Sequence, residues 1–94
     1  MSTISISGEF TSSINNSVTV TIIRPGEYFY SEEFTGDFSL TRNDLQPEKI
    51  YNVTFAGSSP GQFAYEITGN ITVNPTTGRS NAGTIACGNT IQTT

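Results

Sequence analysis

The sequence predicts a single antiparallel β-sandwich of seven or eight strands, and three observations carry this prediction. Apolar and polar residues alternate along most of the chain, which is typical of strands with one buried face. Thr, Ile, Val, Phe and Tyr, which strands favour, are abundant. Turn residues recur at intervals of roughly 8–12 residues, as they do in two packed sheets. The length of 94 residues suits one domain, so we assign residues 1–94 to a single unit.

Four candidate strands fall in the first half of the chain. Their inward positions are apolar or small, and in the second strand Val and Ile alternate with Thr. Pro25 and Gly26 end that strand, because Pro cannot donate to a ladder and Gly permits a turn. After the fourth strand, Asn43–Leu45 is expected to form one helical turn. The predicted strands lie at 4–10, 18–23, 28–34 and 38–40.

The second half contains four further segments with strand character. Tyr51, Val53 and Phe55 share one face of the first of these, and Cys87 falls on the inward face of the last. A buried free Cys behaves as a small hydrophobe, so we interpret Cys87 as a core residue. The predicted strands lie at 49–57, 63–67, 71–73 and 85–91, with a loop at 74–78.

The alternation also predicts the core. Residues of the same parity along a strand share a face, and the apolar set is expected to face inward. The predicted core consists of Ile4, Ile6, Phe10, Val18, Val20, Ile22, Phe38, Leu40, Tyr51, Val53, Phe55, Ile71, Val73 and Ile85.

Composition excludes several classes of function. There is no His, so a Ser-His-Asp triad and a His-ligated metal are both excluded. The net charge of −4 argues against a nucleic-acid partner, which requires a basic surface. Apolar runs are far shorter than the ~20 residues of a membrane-spanning helix, so we expect no membrane insertion. We therefore predict a protein that is not an enzyme and that holds no cofactor or metal.

The middle of the chain resembles a known family of small β-sandwiches. Gly8–Phe10 is similar to an opening Gly-x-Val strand, and Asn16–Ile22 to the Val-x-Val strand that follows it. Phe34–Leu40 (FTGDFSL) resembles an Asp-Gly-x-Phe-x-Leu turn and strand, and Leu45–Phe55 a Leu-x-Pro-Gly-x-Tyr-x-Val-x-Val run. These elements are those of the carboxypeptidase regulatory-like domains, and together they cover about residues 8–57.

The resemblance implies a transthyretin-like sandwich, while the residue pattern by itself fits an immunoglobulin-like sandwich equally well. Domains of the family are mostly not catalytic and are common in bacterial surface proteins. The resemblance therefore implies a spacer, folding or binding role, and it transfers no functional residues to this chain.

The tyrosines are the candidate binding residues. Tyr28, Phe29 and Tyr30 cannot all face one core, so either Phe29 or the two tyrosines point outward. Exposed tyrosine rings can stack on sugars or pack against a protein partner. Tyr65, which lies close to the Ser-Ser-Pro-Gly turn, joins Tyr28 and Tyr30 as a candidate, and ordinary core packing is the alternative for all three.

The acidic residues allow two interpretations. Asp37, Asp44 and Glu48 stand in predicted loops or strand ends, where loop carboxylates could ligate Ca²⁺. No calcium-binding sequence motif is present, however. We interpret these residues as solvated charges that discourage association of sheet edges.

These observations predict a structural or protein-interaction module of a cell-surface or extracellular assembly. Its partner would be another copy of the chain or a neighbouring domain, bound through the edges of strands. The alternative is a carbohydrate-binding module that holds a polysaccharide with its exposed tyrosines.

Overall fold

The computed structural model describes residues 1–94, which form eight β-strands. No helix long and apolar enough to cross a lipid bilayer is found. The strands are β1 (Ser2–Phe10), β2 (Ser17–Arg24), β3 (Tyr28–Phe34), β4 (Phe38–Leu45), β5 (Ile50–Ser59), β6 (Phe63–Gly69), β7 (Thr76–Ser80) and β8 (Gly83–Gln92).

The strands form two antiparallel four-stranded sheets that pack face to face, which confirms the predicted β-sandwich. Sheet A has the order β4-β1-β6-β7, and sheet B has the order β3-β2-β5-β8. This order differs from that of an immunoglobulin constant domain, in which the first, second, fifth and fourth strands share one sheet. The edge strands are therefore β4 and β7 in sheet A, and β3 and β8 in sheet B.

The inner faces of the two sheets enclose one core of 17 buried hydrophobic residues. All but two of the predicted core residues are buried. Phe38 is half-buried at the edge of this core, where its ring stacks on Phe34 with centroids 4.1 Å apart. The prediction for Val73 is wrong, because 66% of this residue is exposed. The core also contains residues that were not predicted: Leu45, Phe63, Tyr65, Ile67 and Ile91.

Two predictions of local structure fail for identifiable reasons. The expected strand at 71–73 is absent, and Ile71 forms only an isolated bridge with Thr93. The strand lies instead at β7, which begins within the predicted loop at 74–78. Its inward position there is Gly78, where a Cβ would overlap the ring of Tyr65. The expected helical turn at 43–45 is also absent, because β4 continues to Leu45 and buries its side chain completely.

The two halves of the chain share one topology. The first four strands correspond to the last four in chain order. The pair β4-β1 of sheet A matches β8-β5 of sheet B, and the pair β2-β3 of sheet B matches β6-β7 of sheet A. The first strand of each half has a glycine opposite an apolar residue of its partner: Gly8 pairs with Phe38 in β4, and Gly57 pairs with Ile85 in β8. The repeat lies in the strand order, whereas the sequence shows no internal repeat.

The ends of the chain meet at one end of the sandwich. The hydroxyl of Ser2 donates to the carbonyl of Thr94 at 2.7 Å, although 92 positions separate the two residues. Ser2 is buried there, so this contact is part of the packed structure.

Candidate functional site

Tyr28 and Tyr30 lie on the inner face of β3, at the edge of sheet B. Both are half-buried and pack against the core, whereas Phe29 points outward and is 69% exposed. Of the two orientations that the sequence allowed, the strand adopts the one that presents Phe29. Tyr28 and Tyr30, predicted as candidate binding residues, do not present their rings outward, because the rings help to close the open side of the core.

The hydroxyl of Tyr28 belongs to a polar cluster that joins the two sheets. It donates to Asp44 Oδ1 at 2.8 Å and accepts from Arg42 Nε at 3.1 Å. A terminal nitrogen of Arg42 also donates to Asp44 Oδ2 at 2.7 Å. Since Arg42 and Asp44 lie on β4, these bonds connect the edge strand of sheet A with the edge strand of sheet B.

Tyr30 is covered by the same arginine. The guanidinium carbon of Arg42 lies 4.1 Å from the centroid of the Tyr30 ring, which is the geometry of a cation–π contact. The hydroxyl of Tyr30 donates to Glu32 on its own strand. One face of this ring is therefore occupied within the chain.

The electrostatics of the cluster follow from these contacts. Partial burial disfavours the ionised form of Asp44, but hydrogen bonds from Arg42 and Tyr28 outweigh burial and lower its pKa. Burial raises the pKa of Tyr28, and the hydrogen bond to Glu32 raises the pKa of Tyr30. Both phenols are therefore harder to ionise than a free tyrosine.

Tyr65 lies in the core, on the inner face of β6. Only 4% of the residue is exposed, and its ring stacks on Phe55 with centroids 4.1 Å apart. The side-chain amide of Asn89 donates to its hydroxyl. The prediction of Tyr65 as an exposed binding residue is wrong, because the alternation of β6 directs it inward together with Phe63. The three candidate tyrosines do not form one binding surface.

The predicted loop carboxylates have separate positions and roles. Asp37 accepts from the backbone N–H of Phe10 at 2.8 Å, and Asp44 belongs to the cluster with Arg42. No group of three His, Cys, Asp or Glu residues lies close enough to hold a metal ion. Cys87 is half-buried on the inner face, and burial raises the pKa of its thiol.

Two open hollows lie on the outer faces of the sheets. The hollow on sheet A, of about 370 Å³, is lined by residues that include Ala64 and the charged Glu9, Glu66 and Arg79. The hollow on sheet B, of about 620 Å³, is lined mainly by small side chains and by Ile23. Both are shallow depressions over strands and not enclosed clefts.

Three of the four edge strands carry features that discourage pairing with another chain. β3 carries Glu32 and Glu33, β4 carries Arg42 and Asp44 together with an irregular register, and β7 has only five residues. β8 differs from them. It has ten residues (GTIACGNTIQ), none charged and none proline, and it pairs with β5 along its whole length.

Hydrogen bonds at the end of β8 establish which of its residues face away from β5. In an antiparallel ladder the N–H and C=O of one residue point to the same side, and consecutive residues alternate. Thr93 donates to the carbonyl of Lys49, next to β5, at 2.9 Å. Even-numbered residues therefore face the free edge, where the N–H of Thr72 donates to the carbonyl of Gln92 at 2.9 Å.

The remainder of this edge is open. The hydroxyl of Ser80 lies 3.3 Å from the carbonyl of Thr84, and no strand pairs with the outer side of β8. Ala86, Gly88 and Thr90 thus present backbone N–H and C=O groups without a partner in the chain. The sequence predicted interaction through strand edges but did not identify β8. Its absence of charge over ten residues is the signal that could have done so.

Comparison of the chain with family models, with curated proteins and with solved structures finds no match in any of the three.

Proposed function

We propose that the protein is a non-enzymatic interaction module that accepts an extended strand of its partner along the free edge of β8. The observation that carries the proposal is the row of unpaired backbone groups at Ala86, Gly88 and Thr90. Main-chain hydrogen bonds to such an edge supply affinity in strand addition, and neighbouring side chains supply selectivity.

The other half of the fold supports this proposal by contrast. β4 occupies the place in sheet A that β8 occupies in sheet B, and both are edge strands. The free edge of β4 is protected by Arg42, Asp44 and a register irregularity, whereas β8 has no such feature. Because natural sheets generally protect their edges, a long unprotected edge favours a role in binding.

The composition supports the setting that we propose, which is an extracellular or cell-surface assembly. Ser, Thr and Asn dominate the polar residues, and the chain has a single Lys. The resemblance to carboxypeptidase regulatory-like domains agrees with a binding role and stays a prediction. The proposal rests on the β8 edge and does not depend on this resemblance.

A strand-addition peptide tests the proposed function. The probe is a peptide of residues 83–92, added to the isotope-labelled protein while its amide NMR spectrum is recorded. We expect the amides of Ala86, Gly88 and Thr90 to shift and to become protected from hydrogen exchange. The control is the same peptide N-methylated at those three positions, which removes its edge donors. Equal shifts with both peptides, or no shift at these amides, would contradict the proposal.

A proline variant links the effect to the edge. Ala86→Pro removes a donor that faces away from β5, so the β5–β8 ladder keeps its hydrogen bonds. This variant should remain folded and lose most of the response to the peptide. An undiminished response would show that the peptide binds elsewhere.

The carbohydrate alternative is favoured by a different residue from those predicted. Phe29 is the one aromatic side chain that is largely exposed, and it pairs in register with Ile23 at the border of the 620 Å³ hollow. Asn52 and Thr90 line the same hollow and could hydrogen-bond to sugar hydroxyls. We propose this outer face as the second candidate. If this face binds carbohydrate, soluble polysaccharides should shift the NMR signals of the amides around Phe29, and Phe29→Ala should abolish these shifts.

A further inference from the structure

We infer that the strand bound at β8 is β8 of a second copy of the chain, paired antiparallel about a two-fold axis at Gly88. This inference rests on the proposed function and specifies its partner. The two copies would share one eight-stranded sheet, in which the two β8 strands are the central pair.

The free groups determine the register. Gln92 is already bonded to Thr72, and the carbonyl of Thr84 is approached by Ser80, so pairing is confined to the three residues between them. The antiparallel register that uses all three places Gly88 opposite Gly88 and Ala86 opposite Thr90. Each opposed pair exchanges two N–H···O bonds, so the contact contains about six of them.

The spacing of these groups explains why a second copy fits. The free residues are placed symmetrically about Gly88, so the edge complements itself and leaves none of its three residues unpaired. A two-fold interface uses the same patch on both subunits, so the patch must be complementary to itself. The β8 edge meets this requirement.

The side chains are compatible with this register. Ala86, Gly88 and Thr90 all point to the outer face and are small, and on the inner side Cys87 of one copy would stand opposite Asn89 of the other. No charged residue lies on β8, so no like charges are opposed across the contact, although each copy carries a net charge of −4.

We expect a weak dimer, because a contact between two strands is smaller than the roughly 1,200–2,000 Å² of stable interfaces. Sedimentation velocity over a dilution series should therefore show a monomer–dimer equilibrium in the wild-type protein. Its concentration dependence gives the dissociation constant.

Two double variants with equal charge locate the interface. Ala86→Lys with Thr90→Lys places lysine opposite lysine twice in the proposed register, and like charges directly opposed are destabilising. We expect the dissociation constant to rise at least tenfold. Thr19→Lys with Thr21→Lys changes the same outer face of sheet B on a central strand, and it should leave dimerisation unchanged. The reverse result would indicate face-to-face contact and overturn the inference.

Cysteine cross-linking tests the register. In a Cys87→Ala background, Ala86→Cys with Thr90→Cys should form a covalent dimer on oxidation, because opposed Cα atoms lie about 5.5 Å apart. Ala86→Cys alone should not, because the two copies of residue 86 would be separated by four residues, about 13 Å, along the strand. Efficient cross-linking of the single variant would exclude this register.

The outcomes separate the two proposals. A wild-type chain that stays monomeric at about 1 mM, yet binds the β8 peptide at the three edge amides, would overturn the dimer and leave strand addition intact. A protein that neither dimerises nor binds the peptide would contradict both.

Discussion

Gly8 occupies an inner position of β1 at which no side chain fits. A Cβ there would overlap the ring of Phe38 and come within 2.9 Å of Phe63. Overpacking a filled core costs about 1–3 kcal/mol, so Gly8→Ala should lower the free energy of unfolding by that amount. Urea denaturation measures the change. Gly36→Ala is the matched control, because no atom lies within 4 Å of a Cβ at that turn. Similar losses in both variants would refute the steric explanation.

Asp44 should make stability depend on pH. Its pKa is lowered in the folded state, because Arg42 and Tyr28 stabilise the carboxylate more than partial burial penalises it. The contribution is therefore complete above the unfolded-state pKa of about 3.9 and is lost as the pH falls through the folded value. Urea denaturation at about pH 7 and about pH 3 should show a smaller loss for Asp44→Asn than for wild type. Glu27→Gln, at an exposed turn, should behave as wild type, and an identical loss in all three proteins would contradict this account.

At some positions, the sequence could not predict whether an aromatic residue is exposed. Alternation indicates which residues share a face, but not which face is buried where both sets are apolar. In Tyr28–Phe29–Tyr30 the choice depends on Arg42 and Asp44, which lie on a different strand. For Tyr65 the inward choice was consistent with Phe63 and Ile67, and Asn89 satisfies the buried hydroxyl. The partners on other strands decide these cases.

At the scale of elements, the polar cluster connects β3 to β4, and the hydrogen bond from Asn89 to Tyr65 joins the two sheets at another point. Tyr28→Phe keeps the ring against Tyr51 but removes the hydroxyl that bonds to Arg42 and Asp44. Hydrogen bonds to charged groups contribute about 1.5–3 kcal/mol, and the partial exposure of this cluster reduces that value. We therefore expect a loss of about 1–2 kcal/mol and faster hydrogen exchange in β3. Tyr30→Phe is the control, because its hydroxyl bonds only within β3. A larger effect of Tyr30→Phe would argue against the connection.

Alternation predicted seven of the eight strands, although β4 only in its first part, and the two failures have one cause. β7 has no apolar residue in Thr76–Ser80, since Tyr65 fills the space beneath Gly78 from the neighbouring strand. A helical turn was predicted at Asn43–Leu45, in a segment where Asn and Asp favour turns, yet pairing with β1 extends β4 to Leu45. In both places a neighbouring strand supplies what the local sequence lacks.

At the scale of the whole molecule, the fold class was predictable and the strand order was not. A period of two specifies that strands have one buried face, but it carries no information about which strands pair. The free β8 edge is a property of the strand order, because β8 would be protected if it lay between two neighbours. The sequence could therefore predict that a strand edge forms the interface, but not that the edge belongs to β8.

Net charge should oppose the association of two copies. Each chain carries a charge of −4, and the proposed contact contains no ion pair that salt would weaken. Salt screens repulsion between like-charged surfaces beyond a Debye length of about 10 Å at 0.1 M. Raising NaCl from about 0.05 M to about 0.5 M should therefore lower the dimer dissociation constant in sedimentation experiments. A dissociation constant that rises with salt would indicate an interface held by opposite charges.

The contact between Ser2 and Thr94 has a consequence for how the strands of this fold can be connected. Because the two ends meet, a short linker can close the backbone into a ring, which can then be reopened between β4 and β5. Such a circular permutant would begin with β5. Because the second half repeats the topology of the first, the permuted chain would visit the two sheets in the same order as the original chain, with the roles of sheets A and B exchanged. The same architecture would then be reached from the opposite half of the polypeptide.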